Sequence, residues 1–286
     1  MTLEEIFEPI SSELHIVRHN IGAHFQAITE QRQIHSSQHA LLEQVISHFL
    51  STSGKGLRPA LVLLSANLIQ PIAPEHTLYQ PLIQLATAVE FIHSASLVHD
   101  DVLDEAKFRR GQLALNEKEG NKIAVLVGDM LFLQAFSLLT NLNVPDWHIQ
   151  QEIFQVLCQT TQTMCVGEIF QHHLLLEAQT ADVDEYLSII THKTALFMSA
   201  CCRCGALLLQ PRHDVVQSLT DFGRNFGLAF QLADDTVDQD ALVDKGVDLR
   251  PMTRHYIEQA KTKLHSTNGS LYARHLIALC DFLAGK

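Results

Sequence analysis

Residues 81–101 read PLIQLATAVEFIHSASLVHDD, and this stretch decides the fold. Leu82, Leu85, Ala86, Val89 and Ile92 recur at helical spacing, so a long apolar helix is predicted that runs directly into acidic residues. The continuation, VHDDVLDEAKFRRG (98–111), sets Asp100, Asp101 and Asp104 ahead of Arg109 and Arg110. At roughly 100° per residue, Asp100 and Asp104 share a helix face with Asp101 beside them. Like charges so spaced destabilise a helix unless something neutralises them. A single D-D-x-x-D fits a solvated acidic face equally well.

Working outward, apolar stripes of helical period recur over 41–49, 123–140, 150–176, 184–209 and 214–236. Breaks fall at Pro71 and Pro74, at Pro145, at Asp182 or Asp184 as an N-cap, at Pro211, and in STNGS (266–270). No segment alternates long enough to make a convincing strand. The expected architecture is all-α, one domain over residues 1–286. Twenty basic against 32 acidic residues give a net charge of −12, which argues against nucleic acid or an anionic membrane as partner. The start, MTLEEIFEPISSEL, has acids where an export signal needs basic residues, so a cytoplasmic protein is expected. IAVLVGDMLFLQAFSLL (123–139) is interrupted by Gly128, Asp129 and Gln134 and reads as a buried helix of a soluble protein, not a membrane span. Cys201, Cys202 and Cys204 lack paired zinc spacing and read as small core residues.

A second acidic motif shifts the balance. QLADDTVDQD (231–240) repeats the pattern with Asp234, Asp235 and Asp238, again at the end of an apolar helix. Oxygen-only ligands suit a hard cation, and Mg²⁺ takes one or two protein carboxylates and fills its remaining positions with water and phosphate oxygens. The two motifs therefore point to a diphosphate held through bridging magnesium. The basic residues agree: SGKGLRP (53–59) presents Lys55 and Arg58 on a glycine-rich turn entering a helix, where backbone N–H groups can approach a phosphate. Arg109 and Arg110 follow the first acids by about a helical turn. Lys193 lies in an otherwise apolar helix, and if buried it needs a counter-charge, for which a bound anion is the expected partner. A lone histidine on an apolar helix is usually a core residue, but His93 lies seven residues before Asp100 and so on its face.

The succession SGKGLRP, EFIHSASLVHDDVLDEAKFRRG, GNKIAVLVGDMLF, GEIFQ, HKTALF and FQLADDTVD resembles the trans-isoprenyl diphosphate synthases, or polyprenyl synthetases, over nearly the whole chain. The resemblance implies long helices around a deep central cavity, a homodimer, and condensation of isopentenyl diphosphate with an allylic diphosphate such as the geranyl, farnesyl or geranylgeranyl compound. It implies Mg²⁺ on Asp100, Asp101, Asp104, Asp234, Asp235 and Asp238. Arg109, Lys193 and Lys245 would contact the allylic diphosphate, and Lys55, Arg58, His93 and Arg110 the isopentenyl diphosphate. Thr194 and Gln231 match positions at the reacting centre, and Glu168 and Gln171 match cavity-lining ones.

Ala95 and Ser96, about one turn before Asp100, should line the tunnel into which the product grows. Both are small, so a medium or long product is expected, with Met130 or Phe132 as a deeper stop. Two departures from the family pattern stand out. Ser53 and Gly56 occupy positions where glycine and a basic residue are usual, so one charge fewer is expected on isopentenyl diphosphate. The region around 245–256 is shortened: it keeps Lys245, Gly246, Asp248 and Leu249 but not the usual second lysine. A non-catalytic regulatory subunit and, less so, a terpene cyclase are the competing readings.

Overall fold

The computed structural model describes residues 1–30, 36–51, 54–177, 180–238, 242–244, 246–265 and 269–285. The chain folds into two compact units, one built from residues 1–11, 60–82 and 143–286, the other from 12–59 and 83–142. Thirteen α-helices account for most of the described residues, as the apolar periodicity predicts.

In the second unit, α2 (Ser11–Glu30), α3 (Ser36–Ser51) and α5 (Tyr79–Leu103) supply most of the core. Phe25 of α2 meets Phe49 of α3 and Phe91 of α5 edge-on, with ring centroids 5.8 and 6.1 Å apart. Edge-to-face contacts of this kind add to the burial of each ring. Along α5, Leu82, Ile83, Leu85, Ala86, Ala88, Val89, Phe91 and Ile92 are all buried. That explains why the stretch is apolar almost all round: a helix buried on every side needs no polar stripe.

The same unit contains a feature absent from the sequence reading. After α5, Phe108–Arg109 (β1) and Gln112–Leu113 (β2) pair antiparallel, with Arg109 opposite Gln112. Arg110 and Gly111 link them with φ of 52° and 79°, the two positive values that a tight hairpin turn needs. Arg109 and Arg110 therefore belong to a hairpin and not to a further helical turn. Two-residue strands leave no alternation for sequence to reveal.

After α6 (Leu115–Glu119) comes α7 (Asn121–Thr140), which corrects another expectation. It is not a wholly buried helix. Ala124, Val127, Leu131, Ala135 and Leu138 face inward, while Leu126 and Leu133 are exposed, with Asp129 exposed between them. Hydropathy registers both faces alike and cannot separate core from surface. By length and composition, Tyr79–Leu103 and Asn121–Thr140 could each span a membrane; the window is 72% buried in the first and 39% buried in the second.

The first unit begins with α1 (Leu3–Phe7), whose N-cap Thr2 and Glu5 form a capping box. It also holds most of α4 (Leu57–Ile69), then α8 (Trp147–Leu176), α9 (Val183–Ile190), α10 (Leu196–Leu207), α11 (His213–Asp238), α12 (Arg250–Thr262) and α13 (Leu271–Ala284). Asp182 caps α9, accepting from Glu185 N at 2.8 Å. Between α9 and α10, Thr191–Ala195 form a π-helical turn. Two glycines admit it. A Cβ on Gly167 of α8 would lie 2.7 Å from Lys193 N, and one on Gly227 of α11 would lie 2.6 Å from Ala195 Cα. Cys201, Cys202 and Cys204 are buried in α10, and burial pushes the Cys202 thiol up to about 12.

Candidate functional site

The first acidic motif sits at the end of α5. Asp101 is buried, Asp100 partly buried and Asp104 exposed. Asp104 N donates to Asp100 O at 2.8 Å, so the turn that brings these residues to one face persists past the last helical residue. The hairpin returns Arg109 to this turn, where Nε donates to Asp101 Oδ1 at 2.9 Å and Nη2 closes on the same oxygen. Burial lowers the Arg109 pKa, but the bond to Asp101 and the charges of Asp100 and Asp104 outweigh it and hold the guanidinium above its ordinary value. A buried carboxylate with a charge-assisted partner is held in one orientation.

Beside these acids the same unit encloses a cavity of about 660 Å³, whose wall includes Arg18, Gly54, Gly56, Glu90, Asp101 and Arg110. The glycines of the 54–56 turn have separate reasons. Gly56 has φ of +75°, a conformation that side chains disfavour. A Cβ on Gly54 would fall 2.7 Å from Arg110 Nη2, so the bare backbone lets that guanidinium lie against the turn. Arg58 Nη1 donates to His93 Nε2 at 2.9 Å. A guanidinium cannot accept, so this His93 nitrogen carries no proton. Burial first, then Arg58, Arg110 and Arg109, hold the His93 pKa well below its ordinary value. His93 is therefore a neutral support for Arg58. Glu90, at 8% exposure, has its carboxyl pushed up to about 7 by burial, against the opposing pull of Arg58, Arg110 and Arg18. Its Oε2 has no hydrogen-bond partner among the described residues. Lys55 is exposed at the turn.

The second acidic motif lies in the first unit, where the π turn organises it. Thr194 Oγ1 donates to Gln231 Oε1 at 2.8 Å, and Gln231 Nε2 donates to Asp235 Oδ1 at 2.7 Å. Tyr186 Oη, on α9, donates to Asp235 Oδ2. Both oxygens of this buried carboxylate are thus engaged by neutral donors. Asp234 is partly buried. Lys193 reaches Glu168 Oε2 at 2.6 Å and Gln171 Oε1 at 3.3 Å, both on α8. A carboxylate of the protein itself supplies the counter-charge. The Asp238 side chain, Lys245 and Ser53 lie outside the described residues.

Among the chain-length candidates, Ala95 is fully buried, and Ser96 Oγ is tied to His93 O at 2.8 Å. Met130 and Phe132 are partly buried on α7, where the Phe132 ring lies 5.7 Å from that of His99 and 6.4 Å from that of Phe136. None of these four is among the residues lining the 660 Å³ cavity.

Among the described residues, no three metal-ligating side chains converge into a ready-made ion site. The donors present are carboxylates, two of them oriented by Arg109 and by Tyr186 with Gln231. Such a donor set suits a hard cation that draws its other oxygens from water and a phosphorylated ligand. Sequence reasoning missed Tyr186, Glu90 and Arg18. For the first two the only signal was a polar residue at an apolar position.

Residues 39–245 match the family described as polyprenyl synthetase. A prenyl transferase of Porphyra purpurea is 34% identical over 240 residues, covering 83% of this chain and 67% of that protein. The octaprenyl diphosphate synthase of Escherichia coli is 33% identical over 217 residues, 75% of this chain and 62% of the relative. Several curated relatives are longer still, and the chain spans only 49% of a Dictyostelium discoideum decaprenyl-diphosphate synthase. Among solved structures, a Caulobacter crescentus polyprenyl synthase complexed with calcium and isoprenyl diphosphate superposes with a TM-score of 0.80 at 24% identity, over 100% of this chain and 98% of that one. The all-α fold is thus that of the isoprenoid synthases, and by its sequence match the chain belongs to the polyprenyl synthetase family.

Proposed function

We propose that this chain is a divalent-metal-dependent prenyltransferase, using Mg²⁺ to condense isopentenyl diphosphate with an allylic diphosphate into a medium- or long-chain trans-polyprenyl diphosphate. The observation that carries the reading is the pairing of a carboxylate turn on Asp100, Asp101 and Asp104 with an arginine-lined cavity in one unit. The family match and relatives named octaprenyl, decaprenyl and solanesyl diphosphate synthases support it, as does the calcium in the Caulobacter complex. Residues 1–286 would act as one catalytic domain, shortened around 245–256.

In this mechanism Asp100, Asp101 and Asp104, and likewise Asp234, Asp235 and Asp238, would hold Mg²⁺, which would supply positive charge to the leaving diphosphate. Arg109 orients Asp101, and Tyr186 with Gln231 orients Asp235. Lys193, Arg109 and Lys245 add cationic contacts to the allylic diphosphate. Thr194 commits its proton to Gln231, so its oxygen lone pairs are available to the developing allylic cation. Lys55, Arg58 and Arg110 hold the isopentenyl diphosphate, with His93 fixing Arg58. The homoallylic double bond then attacks, and the released diphosphate accepts the final proton.

The exposed apolar face of α7, with Leu126 58% and Leu133 67% exposed, supports a homodimer. Buried thiols such as Cys202 and Cys204 fit a reducing, cytoplasmic setting. Ala95, Ser96, Met130 and Phe132 would set product length. Incubating the purified chain with Mg²⁺, farnesyl diphosphate and labelled isopentenyl diphosphate tests the reading. Elongated diphosphates are expected, whereas a cyclised hydrocarbon or no turnover would favour the cyclase or the regulatory subunit. Ala95→Phe should shorten the product; an unchanged chain length removes Ala95 from the tunnel.

A further inference from the structure

Arg18, on α2, was assigned no role by the sequence, yet it lies on the wall of the arginine-lined cavity. Its Nη2 donates to Lys55 O at 3.4 Å, so the guanidinium is laid against the backbone of the 54–56 turn. A Cβ on Gly56 would lie 3.9 Å from the same nitrogen. The charge of Arg18 therefore sits at the place where the turn itself, carrying glycine with φ of +75°, presents no side chain. Among the described residues, Arg18 forms no ion pair with a carboxylate, in contrast to Arg109, which Asp101 neutralises. Glu90 feels Arg18, Arg58 and Arg110 together, so the three guanidinium charges act on one small region. An anion of more than one negative charge is the ligand that such a cluster accepts.

We propose that Arg18 is a substrate-binding residue for the isopentenyl diphosphate, supplying from α2 the cation that the turn lacks at Gly56. The proposal rests on the prenyltransferase reading and extends it to a helix outside the assigned motifs. Because Arg18 is exposed, its replacement should leave the fold intact. It meets the diphosphate end of one substrate only, so its loss should act on KM for that substrate and spare the chemical step.

The test compares Arg18→Met, which keeps the apolar stem, with Arg18→Lys, which keeps the charge, and with Arg212→Met, an exposed arginine paired to Asp214, as a control for net charge. Arg18→Met should raise KM for isopentenyl diphosphate about tenfold or more, with kcat within about threefold and allylic KM unchanged. Arg18→Lys should recover much of the loss, and Arg212→Met should match the parent. An isopentenyl diphosphate KM within twofold of the parent, or an equal rise in both KM values, overturns the proposal. Calorimetric titration with inorganic pyrophosphate separates this from the reading beneath it. If the parent chain fails to elongate but binds pyrophosphate, and Arg18→Met weakens that binding about tenfold, the catalytic reading falls and Arg18 as a diphosphate ligand stands. Equal affinity in both proteins, or binding by neither, rejects Arg18.

Discussion

The two acidic motifs repeat one spacing but hold their buried aspartate by different means. Asp101 is 4% exposed and answered by a full positive charge, Arg109, delivered by a hairpin eight residues on. Asp235 is 9% exposed and answered by two neutral donors, Tyr186 and Gln231, the first 49 residues away. A cation cancels the carboxylate's charge, whereas hydroxyl and amide donors orient it and leave the charge in place. The difference teaches that one sequence pattern does not fix one set of partners: a guanidinium meets the buried aspartate of the first motif, whereas a hydroxyl and an amide are among the donors to that of the second.

Removing the carboxylate itself should have the largest effect. Asp101→Ala is expected to lower kcat about 10³-fold, because the variant loses the carboxylate proposed to hold the metal and, with it, the anchor of Arg109. Steady-state kinetics beside Asp235→Ala sharpens the contrast, and an active Asp101→Ala enzyme would remove the first motif from the chemistry. Next come the partners. Arg109→Met strands a buried carboxylate and should cost about 3 kcal/mol in urea unfolding, whereas Tyr186→Phe removes one neutral donor and should cost about 1 kcal/mol. Equal losses would erase the distinction between the motifs.

Glu90 offers a smaller effect with a definite sign. A carboxyl raised to about 7 in the folded chain binds its proton more tightly there than in the unfolded chain. Its contribution is therefore fully present below the ordinary glutamate range and is lost as pH rises through about 7. Stability should fall by roughly 2 to 3 kcal/mol between about pH 5 and pH 8, and Glu90→Gln should flatten the profile. An unaltered slope in that variant assigns the pH dependence to other groups. The glycines give the smallest change. Gly167→Ala drives a methyl group against the backbone of Lys193 and should lower stability by about 1 to 2 kcal/mol. Gly54→Ala meets only the end of a flexible side chain, so the melting temperature should hold while isopentenyl diphosphate binding weakens. A fall in melting temperature for Gly54→Ala would make that turn a packing element.

The helices and the acids were legible in the sequence because their information is local. The stripe from Leu82 to Ile92 announces α5, Asp182 announces the start of α9, and each D-D-x-x-D declares its own face. What escaped depends on residues remote in the chain. Lys193 finds Glu168 across 25 positions, and nothing near Lys193 distinguishes a protein carboxylate from a bound anion as its partner. Arg18 meets the turn at Lys55 across 37 positions. The hairpin bearing Arg109 and Arg110 is too short for periodicity to register, although Gly111 marks its turn. The exposed apolar face of α7 was read as core because composition carries no direction.

The π turn at Thr191–Ala195 makes the length of this segment a functional quantity. A π turn amounts to one residue beyond what continuous α-helical winding requires. Deleting any single residue there would let α9 and α10 fuse into a regular helix, at the cost of rotating α9 by about 100° and drawing it in by about 1.5 Å. Tyr186 would swing away from Asp235 although neither residue had been altered. At this point the chain tolerates changes of letter more readily than a change of count.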